Sequence, residues 1–161
     1  MGGVFASLTE MFQERLERQQ NRPFLEGVMA ACAMVATSDG KVSFAENVRV
    51  DQILQTLDRL KIFDPHEGVD IFRKFCDSIL ENPAAGHAEA LEAVAKVSAH
   101  PEEGALLLRV CVAISEADGE ASLADQIEIV SMCSRFGIEP AECGLYIDMP
   151  INDFLNPKSK G

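Results

Sequence analysis

The chain has 161 residues, 47% of them apolar and 25% charged, enough for one cored domain and short of the usual size for two. Asp and Glu number 26 against 14 Lys and Arg, a formal charge of −12. That surplus opposes binding to nucleic acid or to an anionic membrane through the protein's own charge, and favours a cation or a basic protein surface as partner.

Helical periodicity runs through the sequence, and no segment alternates with period two over a useful length. Val4, Phe5, Leu8, Met11, Phe12 and Leu16 recur at steps of three and four, which predicts an amphipathic helix over residues 1–22 that packs on the core or on a partner. The start, MGGVFASLTEMF, lacks the basic and long apolar regions of a secretory leader. No apolar run reaches the roughly 20 residues of a membrane span. Both observations lead to the expectation of a cytoplasmic protein with no direct membrane span.

Asn21-Arg22-Pro23 is expected to break the first helix, because proline fits only the first turn of the next one. Phe24 to Thr37 is apolar nearly all round and so reads as a buried helix. Ser38-Asp39-Gly40-Lys41 is a turn, and Ser43 opens a helix with Val50, Ile53, Leu54, Leu57 and Leu60 on its buried stripe. Asp64-Pro65-His66-Glu67 is a helix start in capping-box form, followed by the stripe Val69, Phe72, Cys76, Ile79 and Leu80. Asn82-Pro83 restarts the chain into an Ala-rich helix with Leu91, Val94 and Val97, and His100-Pro101 interrupts it. Ala105 to Ile114 is a second helix expected to be buried all round. Ala117-Asp118-Gly119-Glu120 is its turn, Ser122 opens another helix, and Gly137 ends it. A short turn is expected at Pro140 to Cys143, with a loose tail over 146–161. The fold class is all-α: one compact bundle of about seven helices, its main domain spanning 23–145.

Cys32, Cys76, Cys111, Cys133 and Cys143 are odd in number and form no CxxC pair, as expected of reduced, buried thiols rather than a disulfide framework. His66, His87 and His100 lie far apart in turn-like sequence, with no HxxxH or HExxH, so the usual zinc chemistry has no ligand set. GxSxG, GxxxxGK[ST] and GxGxxG are absent. The chain is not expected to be an enzyme. A hydrolase using paired carboxylates ranks last, because no nucleophile or substrate-positioning Arg accompanies them.

The most informative feature is an internal repeat. The segment from Cys32 through Asp39, Gly40, Ser43 and Ala45 to Glu46 aligns without a gap on Cys111 through Asp118, Gly119, Ser122 and Ala124 to Asp125, an offset of 79 residues. Val35/Ile114, Phe44/Leu123, Val48/Ile127 and Val50/Ile129 match in kind. The two halves suggest a pseudo-twofold packing of two central apolar helices, each followed by an Asp-Gly turn. Asp39 to Glu46 and Asp118 to Asp125 have the spacing of the fifth and twelfth positions of an EF-hand loop. The first position would be Val35 or Ile114, neither of which can bind an ion, and the third would be Thr37 or Glu116. Neither copy alone is therefore an EF-hand. If the turns meet, Asp39, Glu46, Asp118 and Asp125 converge, with Glu116 and Glu120 standing nearby as further oxygen donors, and a hard divalent cation would neutralise them. All-carboxylate ligands favour Ca²⁺, Mg²⁺ or Mn²⁺ over Zn²⁺. Helix capping by Ser43, Glu46, Ser122 and Asp125, with Gly40 and Gly119 ending the preceding helices, accounts for the same residues without a metal. Only Asp39 and Asp118 are left without a full account.

The chain resembles the TerB family of the bacterial tellurite-resistance and stress-response system. The resemblance rests on Arg22-Pro23-Phe24-Leu25-Glu26-Gly27, Ala36-Thr37-Ser38-Asp39-Gly40, Lys61-Ile62-Phe63-Asp64, Leu107-Leu108-Arg109-Val110, Ser115-Glu116-Ala117-Asp118-Gly119 and the run from Phe136 to Leu145, covering residues 20–145. It implies an all-helical domain whose acidic cluster binds a divalent metal. It also implies a role in tellurite resistance within a complex of Ter proteins, including an integral membrane partner at the cytoplasmic face. No catalytic activity comes with it. The family's paired Asp-Gly and downstream acid map onto Asp39, Glu46, Asp118 and Asp125, where Asp125 replaces the more usual Glu and is shorter by one methylene. Tellurium is thiophilic, but Cys32, Cys76 and Cys111 fall on apolar helical positions where a thiol is a small buried hydrophobe, leaving Cys143 as the thiol expected to be exposed. The leading expectation is a non-enzymatic, metal-binding interaction module. Its rival is a metal-free acidic adaptor that recognises basic surfaces.

Overall fold

A computed structural model of the chain describes residues 2–117, 119, 122–139 and 141. The turn expected at Pro140 to Cys143 lies largely outside the described residues, and Cys143 and the tail over 146–161 lie wholly outside them. Six helices and no strand occur among the described residues: α1 (Gly2–Ala36), α2 (Phe44–Thr56), α3 (Pro65–Glu81), α4 (Pro83–Ser98), α5 (Pro101–Ser115) and α6 (Leu123–Phe136).

The count is six rather than about seven because the expected break at Asn21-Arg22-Pro23 does not occur. Pro23 lies inside α1, exposed, and the helix runs through it. Contacts far along the chain anchor the helix on both sides of the proline. Arg18 Nε donates to Ile62 O at 2.9 Å, and Arg59 Nε donates to Asn21 Oδ1 at 2.9 Å. The Arg59 guanidinium lies 4.0 Å above the Phe24 ring and donates to Glu103 Oε2 at 2.6 Å, joining α1 and α5 to the segment after α2. Arg22 pairs with Glu26 one turn on and with Glu67 at the start of α3. These anchors outweigh the one backbone bond that proline removes.

Past Pro23, α1 is the central helix. Phe24, Leu25 and every residue from Val28 to Ala36 are buried, and α3, α4, α5 and α6 all pack on it. A side chain at Gly27 would collide with Val97, so glycine here sets how closely α1 and α4 approach. The first half of α1 behaves differently. Val4, Leu8, Met11, Phe12 and Leu16 are exposed, so the predicted apolar stripe exists but does not pack on the core. α5 is also less enclosed than its sequence suggests. Leu107, Leu108, Val110, Cys111, Val112 and Ile114 are buried, whereas Arg109 is exposed and Ala105, Leu106 and Ala113 are half-buried, because the helices packed on α5 (α1, α2, α4 and α6) do not cover it all round. Leu80, expected on the buried stripe of α3, is exposed.

The remaining starts follow local chemistry. Asp64 accepts from His66 N at 2.9 Å ahead of Pro65, and Asn82 accepts from Ala85 N ahead of Pro83. Gly137, at φ 68°, closes α6 in the left-handed conformation.

Candidate functional site

The two Asp-Gly segments fold through the same backbone bonds. In the first, Thr37 N donates to Ala33 O, Ser38 N to Val35 O, and Gly40 N to Thr37 O at 2.9 Å. In the second, Glu116 N donates to Val112 O, Ala117 N to Ile114 O, and Gly119 N to Glu116 O at 3.0 Å. Gly40 and Gly119 have φ of 94° and 115°, a region that residues with a Cβ rarely occupy. Each turn leads into a serine-capped helix: Ser43 Oγ accepts from Glu46 N and Ser122 Oγ from Asp125 N, both at 3.0 Å.

The carboxylates that follow the caps have different partners. Glu46 reaches back and accepts from Ser43 N at 2.9 Å, completing a capping box. Asp125 is one methylene shorter, and its carboxylate accepts instead from Ser38 Oγ at 2.5 Å, 87 positions away in the first turn. This bond brings the α1–α2 turn against the first turn of α6. Both acids are buried, at 7% and 5% exposure. A carboxylate so enclosed needs the hydrogen bonds it receives.

Asp39 is exposed, and its Oδ1 lies 3.4 Å from Lys41 N, a turn-type contact. Glu116 is exposed at the C-terminal end of α5. Asp118 and Glu120 lie outside the described residues. Among the described residues no group of three His, Cys, Asp or Glu stands close enough together to hold a metal ion. The oxygen donors present are of the hard type that suits Ca²⁺, Mg²⁺ or Mn²⁺.

Beside the first turn lies a groove of about 420 Å³ lined by Met34, Thr37, Ser38, His87 and Glu128, among others. His87 Nε2 is 2.8 Å from Glu128 Oε2, tying α4 to α6. Sequence reasoning placed His87 in turn-like sequence, but it lies inside α4, one turn past Pro83. Its partner is 41 positions away and carries no motif that would have revealed the pair.

The described cysteines, Cys32, Cys76, Cys111 and Cys133, are free and buried. Burial raises the Cys32 thiol far above its ordinary range, and the neighbouring Cys76 adds to the effect. Burial likewise pushes Cys76 up to about 12, helped by the charges of Asp77 and Glu46. At neutral pH both stay protonated and are poor nucleophiles and poor metal ligands.

No helix among the described residues is long and apolar enough to cross a membrane. No solved structure matches the chain. A tellurium resistance protein TerB from Alcaligenes sp is 29% identical over 108 residues, covering 67% of this chain and 88% of that protein. The family described as tellurite resistance protein TerB matches residues 25–146, which takes in the buried half of α1, both Asp-Gly segments and all five later helices. By that match the chain belongs to the TerB family.

Proposed function

We propose that the protein acts in tellurite resistance as a non-enzymatic interaction module whose acidic end binds a divalent cation between the two Asp-Gly segments. Asp39, Glu46, Asp118 and Asp125 are the ligands in this reading, with Glu116 and Glu120 as outer oxygen donors, and Ca²⁺, Mg²⁺ or Mn²⁺ is preferred over Zn²⁺. The reading treats the segments as halves of a pseudo-twofold arrangement. The observation that carries it is the Ser38–Asp125 bond, which joins the turn of one segment to the acid of the other. A bound ion would fix the two turns and with them the surface offered to a partner. The partners are other Ter proteins, including an integral membrane one, so that the protein works in the cytoplasm and reaches the inner membrane through that partner.

Calorimetric titration of the metal-stripped protein tests the cation. Binding of about micromolar strength is expected, with a melting point raised by about 5–10 °C at a hundredfold excess over Kd. Asp39→Asn with Asp118→Asn should abolish both effects; unaltered binding in that double variant would move the site elsewhere.

A second reading, a metal-free acidic adaptor for basic surfaces, is favoured by one observation: Glu46 and Asp125 already receive hydrogen bonds from Ser43 and Ser38. A melting point that no divalent ion shifts decides for it.

A further inference from the structure

In the first half of α1, Val4, Leu8, Met11, Phe12 and Leu16 are all exposed among the described residues. Steps of three and four put them on one face of a continuous helix, a strip about 18 Å long. A contiguous apolar strip of this kind marks a contact site rather than scatter on an ordinary surface. The family match, over residues 25–146, leaves out both this strip and residues 147–161. Both stretches are therefore additions to the family domain.

The chain leaves α6 at the end of the molecule from which the strip extends. Ile138 is buried against the first turn of α5, where a Cβ added at Gly104 would lie 2.9 Å from Ile138 Cδ1. Glu103, next to Gly104, accepts from Arg59 Nη1. Arg59 Nε in turn donates to Asn21 Oδ1, little more than one turn past Leu16 on α1. This chain of contacts sets the end of α6, the start of α5 and the inner end of the strip side by side. The described residues stop just beyond, at Ala141.

The sequence that follows supplies an occupant. Leu145, Tyr146, Ile147, Met149, Ile151, Phe154 and Leu155 place seven large apolar side chains within eleven residues. Extended chain from Ala141 to Leu155 reaches up to about 45 Å, more than twice the length of the strip. Both stretches carry mixed charge: Glu10, Glu14, Arg15, Glu17 and Arg18 on α1, and Glu142, Asp148, Asp153, Lys158 and Lys160 on the segment. Apolar contact rather than charge therefore sets the pairing. A tethered segment faces the strip at an effective concentration of about millimolar, which a second copy at micromolar concentration does not match. We propose that residues 145–155 fold back along the first half of α1 and cover Leu8, Met11, Phe12 and Leu16, so that the two additions to the family domain form one intramolecular contact. This contact depends neither on the cation nor on a partner protein.

The test uses the full chain. Tyr146 is its one tyrosine and it has no tryptophan, so tyrosine fluorescence reports on the segment directly. Acrylamide should quench Tyr146 several-fold less steeply than it quenches N-acetyltyrosinamide. Leu8→Ser with Phe12→Ser removes two apolar side chains from the contact, weakening it at least about tenfold, and should raise the quenching toward that reference. From the other side, Ile151→Ser with Phe154→Ser should speed amide exchange over residues 8–20 several-fold while the melting point stays within about 2 °C. A Tyr146 quenched as freely as the reference overturns the proposal. So does a shielded Tyr146 that Leu8→Ser with Phe12→Ser leaves shielded, because the segment then packs elsewhere. Exchange over residues 8–20 that Ile151→Ser with Phe154→Ser leaves unchanged has the same force. If the parent sediments as a dimer that Leu8→Ser with Phe12→Ser dissolves, a second copy covers the strip and the proposal is overturned.

Discussion

The segments that begin at Cys32 and Cys111 share their turn bonds and serine caps, yet their acids act differently. Glu46 closes its own capping box, and Asp125 accepts from Ser38 in the other segment. One methylene separates the two side chains. The longer acid can fold back to the backbone N–H of its cap; the shorter one leaves its carboxylate available to a neighbour brought in by tertiary packing. A local cap and a long-range tie can thus come from nearly the same sequence, and side-chain reach decides which one forms.

The largest effects test whether the two segments stand on one core. Met29 in α1 and Leu108 in α5 lie at the 79-residue offset, and both are fully buried. Met29→Ala and Leu108→Ala should each cost about 2–5 kcal/mol, since each leaves a cavity that packed helices cannot fully close. Each variant should still unfold in a single transition by thermal and chemical denaturation. Two resolved transitions in either variant would mean that the segments are separately folded units.

The difference between the two acids is tested by a double-mutant cycle on Ser38→Ala and Asp125→Ala. A hydroxyl donating to a buried carboxylate should couple the pair by about 1–2 kcal/mol. Glu46→Ala should show no coupling to Ser38→Ala beyond about 0.5 kcal/mol, because its carboxylate bonds within α2's own start. Asp125→Glu sharpens the contrast. The longer side chain should reach back to Ser122 and release Ser38, leaving stability within about 1 kcal/mol while amide exchange in the 37–40 turn speeds up. Unchanged exchange in that turn would show that reach is not what separates the acids.

The parts of this structure that were legible in the sequence are those fixed by chemistry within a few residues. The caps Ser43, Asp64, Asn82 and Ser122 and the left-handed Gly137 stand where the pattern put them, because capping bonds span two to five positions. The buried half of α1 was equally plain, since a helix with no polar face has nowhere else to go. What escaped depends on partners distant in the chain. The anchors at Arg18, Asn21 and Arg22 that carry α1 through Pro23 join residues 38 to 45 positions apart. The exposed face of α5 reflects which helices lie against it, and periodicity alone does not encode that. At the candidate site Glu46 and Asp125 were legible as helix-start acids. Ser38 was not, because a serine beside an Asp-Gly turn reads as turn chemistry and its partner is 87 positions on.

The two segments also differ in how their first helices begin, and this gives the smallest expected effect. Pro101 opens α5, whereas Pro23, almost its counterpart, sits inside α1. At the first position of a helix proline loses no bond, so Pro101→Ala should leave stability within about 0.5 kcal/mol. Inside a helix proline lacks the N–H that would reach back four residues, and its ring crowds that carbonyl. Pro23→Ala therefore restores a bond to Gln19 O at an exposed site where no packing is lost. The gain falls mainly on the half of α1 before Pro23, whose Val4, Leu8, Met11, Phe12 and Leu16 are exposed and whose opening need not unfold the core. Far-UV ellipticity should rise and amide exchange over residues 8–20 should slow several-fold, while the melting point moves by no more than about 2 °C. A large rise in melting point would instead tie the first half of α1 to the global transition. Its exposed stripe would then belong to the folding unit that the second segment builds without any such extension.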